Sequence, residues 1–214
     1  MNFWNKRIAI ICDWLIDFAW AELVISHLLE MFPHADIYTS VCFMEHPMLQ
    51  WRRVYTSWIQ KIPFLNRRHK LAGLLRPWAF RSFDLSGYDL VICSTSAESK
   101  QVAMGKWNRP HHPDIGRIQE NQTNTLDSSQ DSEWQNQKPK VIVYCHTPTR
   151  YYWSHAKEYE AMMEFGIFNP LVRSVFRLVK GWMQKVDYEA AQKVDYFIAN
   201  SNNTKERIQK YYHR

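Results

Sequence analysis

The sequence predicts an α/β domain of three layers with a parallel sheet at its centre. Three observations predict it. Five short apolar runs, at 8–12, 36–42, 89–93, 141–144 and 195–199, are rich in β-branched and aromatic residues. Segments with helical spacing stand between most of them. Three of the runs end in polar groups, at 13–22, 94–96 and 146–150, which a parallel sheet would gather at its carboxyl edge. In open α/β sheets that edge is where ligands bind.

Length and composition set the outer bounds. A chain of 214 residues that is 46% hydrophobic and 15% aromatic can bury one good core, or one core and an appendage. No window of 18 clean apolar residues predicts a membrane span. The start of the chain runs straight into the first strand and meets Asp13 soon after, a pattern unlike a signal peptide. The four cysteines, Cys12, Cys42, Cys93 and Cys145, stand far apart with no Cys-x-x-Cys, so neither a zinc ribbon nor a redox dithiol is indicated. Cys12, Cys93 and Cys145 close apolar runs, where cysteine acts as a small buried hydrophobe. A reducing cytosol is expected, and the sequons at Asn121 and Asn202 are then chance matches.

The first unit is a strand at 8–12, a turn through Asp13 and Trp14, and a helix carrying Leu23, Val24, His27, Leu28 and Met31 at near-helical spacing. Pro33 stops it. No Gly-x-Gly-x-x-Gly or Walker sequence accompanies the turn, so neither a dinucleotide site nor a P-loop is supported. Glu22 and Glu30 share a helix face; a solvated face explains them as well as acid/base work does. The second strand is 36–42. From 51 to 81 the chain carries eight cations (Arg52, Arg53, Lys61, Arg67, Arg68, Lys70, Arg76, Arg81) and no carboxylate, interleaved with Trp51, Tyr55, Trp58, Phe64, Trp78 and Phe80. Short amphipathic helices of this composition suit an anionic membrane surface. Helices with rings inward and cations in water are a second reading. Nucleic acid is a third, without any motif to support it.

The strand at 89–93 ends in Ser94, Thr95 and Ser96, whose hydroxyls can cap a following helix. The segment 106–139 is polar, its apolar residues few and scattered, so it is expected to be a disordered loop, with Trp107 and Trp134 no anchors. Val141 to Tyr144 form the fourth strand, which Pro148 ends near His146. This puts a titratable ring at the carboxyl end of a buried strand, although an ordinary hydrogen-bonded histidine in a turn would read the same way. A helix is expected over 151–163. A long basic one is expected over 167–193, with Asn169 and Pro170 at its start and Leu171, Val175, Leu178, Val179, Trp182, Met183 and Val186 on one side. The fifth strand, 195–199, leads through Asn200, Ser201 and Asn202 into a helix over 203–212.

Five stretches together resemble the N-terminal domain of family 4 glycosyltransferases with the GT-B architecture, especially the bacterial mannosyltransferase-like branch. They are IAIICDWL (8–15), AELVISHLLEMFPHADIYT (21–39), FDLSGYDLVICSTSAESK (83–100), VIVYCHTPTRYYW (141–153) and VDYFIANSNNTKERIQKYY (194–212), in the family's order. The resemblance implies the acceptor-side half of a retaining transferase. It would move a mannose-like sugar from a nucleotide-sugar to a lipid-linked or polysaccharide acceptor, usually without a metal and with no other cofactor. The donor-binding domain would lie outside these residues, so the chain alone is not expected to turn over substrate. The alternative is a non-catalytic remnant or a membrane-surface module. The place implied is the cytoplasm, with peripheral attachment to the inner face of the membrane through 51–81, and no nucleic acid partner.

Position by position, the resemblance makes His146 the histidine of the family's CHTP-like motif, beside the transferred sugar. Arg150 would offset phosphate charge, Asp13 would border the cleft, and Ser94 and Ser96 would line the acceptor side. Glu22 would orient its loop, and Asn200 and Ser201 match a structural turn. Three features depart from the family. Ala19-Trp20-Ala21-Glu22 replaces Gly-Gly-Ala-Glu, which removes the glycines that let backbone approach a phosphate. Leu23 stands where an arginine commonly follows. The insert at 106–139 replaces a compact loop. The spacing of Glu22 and Glu30 matches the family's donor-binding glutamate pair, but in the wrong half, and is coincidence.

Overall fold

The computed structural model describes residues 6–63, 71–105, 138–155, 158 and 169–214. The expectations for Trp107, Trp134 and the segment 106–137 lie outside them. Six strands form one sheet: β1 (Ile8–Cys12), β2 (Asp36–Thr39), β3 (Val54–Thr56), β4 (Leu90–Thr95), β5 (Lys140–Cys145) and β6 (Tyr196–Ala199). The order is β3-β2-β1-β4-β5-β6, and every pairing is parallel. This is a Rossmann-like sheet whose strand order reverses between β1 and β4.

Among the described residues, four α-helices are delimited: α1 (Trp20–Met31), α2 (Arg76–Arg81), α3 (Asn169–Gln192) and α4 (Asn202–Tyr212). The alternation of side chains along each strand divides the core in two. On one face Ala9, Ile11, Val91, Cys93, Val141 and Val143 pack with Ala191 and Val194 near the end of α3 and with Ile208 and Tyr212 of α4. On the other, Ile8, Ile10, Cys12, Ile37 and Ile92 pack against Ile25 and Leu29 of α1. Burial on both faces explains why the central strands read as unbroken apolar runs. At the β6 edge the second face thins out, and Tyr196 and Ile198 are exposed.

Several expectations need correction. There are six strands rather than five. The additional one, β3, is only three residues long, lies at the sheet edge and sits inside the cationic stretch, where its half-exposed pattern gives no periodic signal. Of the helices expected over 51–81, residues 64–70 lie outside the described residues, and the described parts contain little α-helix. They are β3, two short 3-10 segments (Trp58–Lys61 and Leu71–Leu74) and the short α2. Among the described residues after β4 there is no α-helix before β5: a 3-10 segment, Ser99–Met104, begins after Glu98, and Ser94 to Ser96 do not cap it. Residues 151–154 are turns, and the remainder of the expected helix over 151–163 lies almost wholly outside the described residues.

On α3 the buried stripe runs through Met183, Val186, Asp187, Ala190 and Ala191. Leu178 stands exposed, and Trp182 lies half out, stacked on Trp78 at 5.2 Å. The stripe follows the i, i+3, i+4 rows of the last turns, and the burial of Leu171 and Val175 lies outside what is described. Ser201 caps α4 as its position suggests, its hydroxyl accepting from the Thr204 amide at 3.2 Å.

Asp187 is the unexpected member of the α3 stripe. Its carboxylate pairs with Lys100 at 2.6 Å, with the two side chains 0% and 2% exposed. Tyr212 and the indole N–H of Trp153 also donate to it, at 2.7 and 2.8 Å. The pair ties the loop after β4 to both C-terminal helices. Removing one partner leaves a buried charge, which costs about 3–5 kcal/mol. Lys100→Met is expected to lower unfolding free energy by about that amount in urea titration, and adding Asp187→Leu should restore part of it. A single variant as stable as the parent would contradict this.

Candidate functional site

The carboxyl ends of β1, β4 and β5 meet at the point where the strand order reverses. Asp13 follows β1 and turns its buried carboxylate across to the loop after β4. That carboxylate accepts from the Thr95 hydroxyl at 2.9 Å and from the amides of Ser96, Ala97 and Ser99 at 2.7, 2.9 and 2.8 Å. Three backbone donors that would otherwise be stranded by the tight turn are thereby satisfied. The Asp13 carbonyl in turn accepts from the Ser40 amide and hydroxyl, which draws in the end of β2. Asp13 thus spends its carboxylate on the protein.

Glu22 is buried in the first turn of α1, and its carboxylate accepts from the Ala19 amide at 3.0 Å. It orients the loop into the helix and meets no open space. Trp20, beside it, is 85% exposed. Ser96 is half-buried and contributes its amide to the Asp13 knot. Arg150 is exposed on the turn that follows β5.

His146 comes one residue beyond β5, where its amide still bonds the Thr95 carbonyl at 2.9 Å. Its own carbonyl accepts from Thr204 Oγ1 of α4 at 3.0 Å. The ring is half-buried at the carboxyl rim, edge-on to Tyr144 at 5.2 Å, with Nε2 2.9 Å from Ser94 Oγ. Burial holds its pKa below the ordinary 6.5, against a weaker opposing pull from Asp13. The imidazole is therefore neutral at neutral pH. Of the six positions singled out in the sequence, the structure joins His146 directly to Ser94. Asp13 and Ser96 meet in the neighbouring loop. Glu22 and Arg150 make no side-chain bond to this group.

Beneath the rim lies a buried polar layer that sequence reasoning missed. Thr149, on the loop carrying His146, donates to the Ala97 carbonyl at 2.9 Å and also meets Lys100 and Asp187, both at 3.1 Å. Arg76 pairs with Glu98 at 2.8 Å, both side chains almost wholly buried. The hydroxyls of Tyr151 and Tyr152 both reach the same carboxyl, Tyr152 at 3.2 Å. Arg76 also lies over the Trp14 ring at 4.9 Å. In sequence, Lys100, Glu98 and Asp187 read as surface charges on helices; only their mutual distance marks them as a core.

This layer also changes the meaning of the cationic stretch. Arg52 donates to the carbonyls of Leu29 and Pro33, Arg53 pairs with Asp36, and Arg81 donates to Gln101. Arg76 is buried on its partner, and Arg52 and Arg81 are half-buried on theirs, whereas the Arg53 side chain is 72% exposed despite its pair. Lys61 is exposed, while Arg67, Arg68 and Lys70 lie outside the described residues. No helix among the described residues is long and apolar enough to cross a membrane. The thiols of Cys12, Cys93 and Cys145 are free and buried, and burial pushes their pKa values up.

No protein-family model matches the sequence, and no curated protein does. Among solved structures, the apo form of the lipopolysaccharide outer core galactosyltransferase WaaB is similar in fold, with a TM-score of 0.44 and 13% identity. The match covers 96% of this chain and 42% of that one, so the chain spans less than half the length of the galactosyltransferase. The fold class itself follows from the strand order and the parallel pairings.

Two predictions follow from the charges. Asp13→Ala removes the acceptor of the Ser96 and Ser99 amides and the Thr95 hydroxyl, and leaves the Ala97 amide only the Thr95 hydroxyl at 3.1 Å; a buried donor left unpaired costs about 1–3 kcal/mol. A loss of at least about 3 kcal/mol in chemical denaturation is expected, and a loss below about 0.5 would overturn the assignment. The second concerns Glu98. Burial pushes this carboxyl from its ordinary 4.5 up to about 7, despite the attraction of Arg76. The folded state therefore holds the proton longer than the unfolded chain. The stabilisation this group contributes is fully present below about pH 4.5 and is lost as pH rises to about 7. Relative to Glu98→Gln, the parent should lose at most about 3 kcal/mol across that window. Urea melts at several pH values measure it, and a parallel pair of curves would refute it.

Proposed function

We propose that this chain is the acceptor-side lobe of a retaining glycosyltransferase. The reaction is transfer of a mannose-like sugar from a nucleotide-sugar to a lipid-linked or polysaccharide acceptor, with the donor-binding lobe supplied from outside these 214 residues. The observation that carries this reading is the place of His146. It stands on the carboxyl rim beside the strand-order reversal, neutral and half-buried, on a turn whose residues resemble the family's CHTP-like motif.

In this reading the labour is divided among the residues of the rim. The neutral imidazole hydrogen-bonds a sugar hydroxyl and supports charge as it develops in the transition state. The exposed guanidinium of Arg150 is placed to offset phosphate charge. Asp13 and Glu22 act on the loops, not on the substrate. Ala19 and Trp20, where the family has glycines, deny the donor phosphates a close backbone approach. The phosphates must then be held chiefly by the other lobe. The commitment of Arg52, Arg76 and Arg81 to partners within the protein favours this reading over a membrane-surface module.

The test is a reconstitution. The chain is combined with a separately produced donor-binding domain and labelled nucleotide-mannose, and transfer to a lipid-linked acceptor is measured. Transfer is expected, with His146→Ala lowering turnover by roughly a hundredfold or more. Equal turnover by that variant would refute the assigned role, and absence of transfer with every donor domain tried would refute the transferase reading.

A further inference from the structure

The contact between Ser94 and His146 specifies which ring nitrogen is offered to a ligand. Ser94 Oγ lies 2.9 Å from His146 Nε2, and Ser94 is 3% exposed. A serine hydroxyl has a single proton to place. This one has no other hydrogen-bond partner among the described residues. If Nε2 carried the ring proton, it would donate to Oγ, and the serine proton would be left buried without an acceptor. If the hydroxyl donates to Nε2 instead, both groups are satisfied and the ring proton sits on Nδ1. The penalty for a buried unpaired donor favours the second arrangement by roughly five- to a hundredfold.

We infer that Ser94 is a positioning residue that locks His146 in its Nδ1–H tautomer, so that the ring presents a hydrogen-bond donor and not a base to whatever binds at the rim. The ligand class this suits is one that offers an oxygen lone pair, such as a sugar hydroxyl or a phosphate oxygen. Other groups around the ring are compatible with the lock. Tyr144, on its own strand, meets the ring edge-on. Asp13, from the end of β1, spends its carboxylate on the loop at 95–99. Arg207, from α4, reaches Thr147 at 3.4 Å. Ser94 therefore lines the crevice wall without touching the ligand, which departs from the acceptor-contacting role that the resemblance assigns to it.

The ligand class rests on the glycosyl-transfer reading, whereas the tautomer does not, and the experiment separates them. A long-range proton–nitrogen spectrum of the uniformly nitrogen-15-labelled chain at pH 7.5 reads both nitrogens of each imidazole. Of nine histidines, His146 is assigned by the resonance lost in His146→Gln. The parent should show a protonated Nδ1 and an unprotonated Nε2. Ser94→Ala should move the pattern toward Nε2–H, the form that free imidazole side chains prefer, and Ser94→Thr should retain the parent pattern. A parent found as Nε2–H, or a folded Ser94→Ala with an unchanged pattern, overturns the inference. If Ser94→Ala does not fold, the parent spectrum together with Ser94→Thr still decides it. Failure of the reconstituted transfer would leave this result standing.

Discussion

The Asp13 carboxylate is the constraint on which the carboxyl rim depends. β1 and β4 are neighbours in space and some eighty residues apart in sequence, and each ends where its backbone must turn away from the ladder. Ser96, Ala97 and Ser99 present amides in that turn with no strand or α-helix to receive them. One buried side chain satisfies all three and a threonine hydroxyl as well. Its own charge is tolerable inside the protein because four donors surround it. The same residue's carbonyl binds Ser40. Three strand ends are thus held at one point beside the reversal of strand order.

The rim is supported from below by charges rather than by hydrocarbon. Lys100 with Asp187, and Arg76 with Glu98, are pairs with almost no exposure. Such pairs are poor sources of net stability, since desolvation offsets most of their attraction. What they do is fix geometry. Thr149 and Trp153 contact Asp187, while Tyr151 and Tyr152 contact Glu98, so the turn carrying His146 is pinned along its length. α4 adds the last contact through Thr204. A half-buried imidazole held by its backbone on both sides and by Ser94 at one nitrogen has little freedom to reorient. In the proposed role, that rigidity suits donation of a hydrogen bond in a set direction.

The sequence was legible where burial imposes a period. β1, β4, β5 and β6 lie within a residue or two of their apolar runs, and α1 and α4 follow from spacing and from Pro33 and Ser201. β3 was not legible: three residues, Val54 to Thr56, half-exposed at an edge, leave no pattern. The loop after β4 was misjudged because Ser94 to Ser96 look like helix caps, while the actual cap of that turn is Asp13, far away in the chain. The arginines of 51–81 look like a surface patch because composition records charge but not its partner.

Sequence alone determined the layered parallel architecture, since continuous apolar strands require cover on both faces. It also placed His146 at a strand end, since Pro148 forbids the ladder to continue. Tertiary structure decided the chemistry of each charged group. Whether Asp13, Arg76, Glu98, Lys100 or Asp187 faces solvent, substrate or another charge depends on neighbours that are distant in the chain. Coulombic and hydrogen-bond energies act through space over a few ångströms, and sequence order carries no measure of that distance.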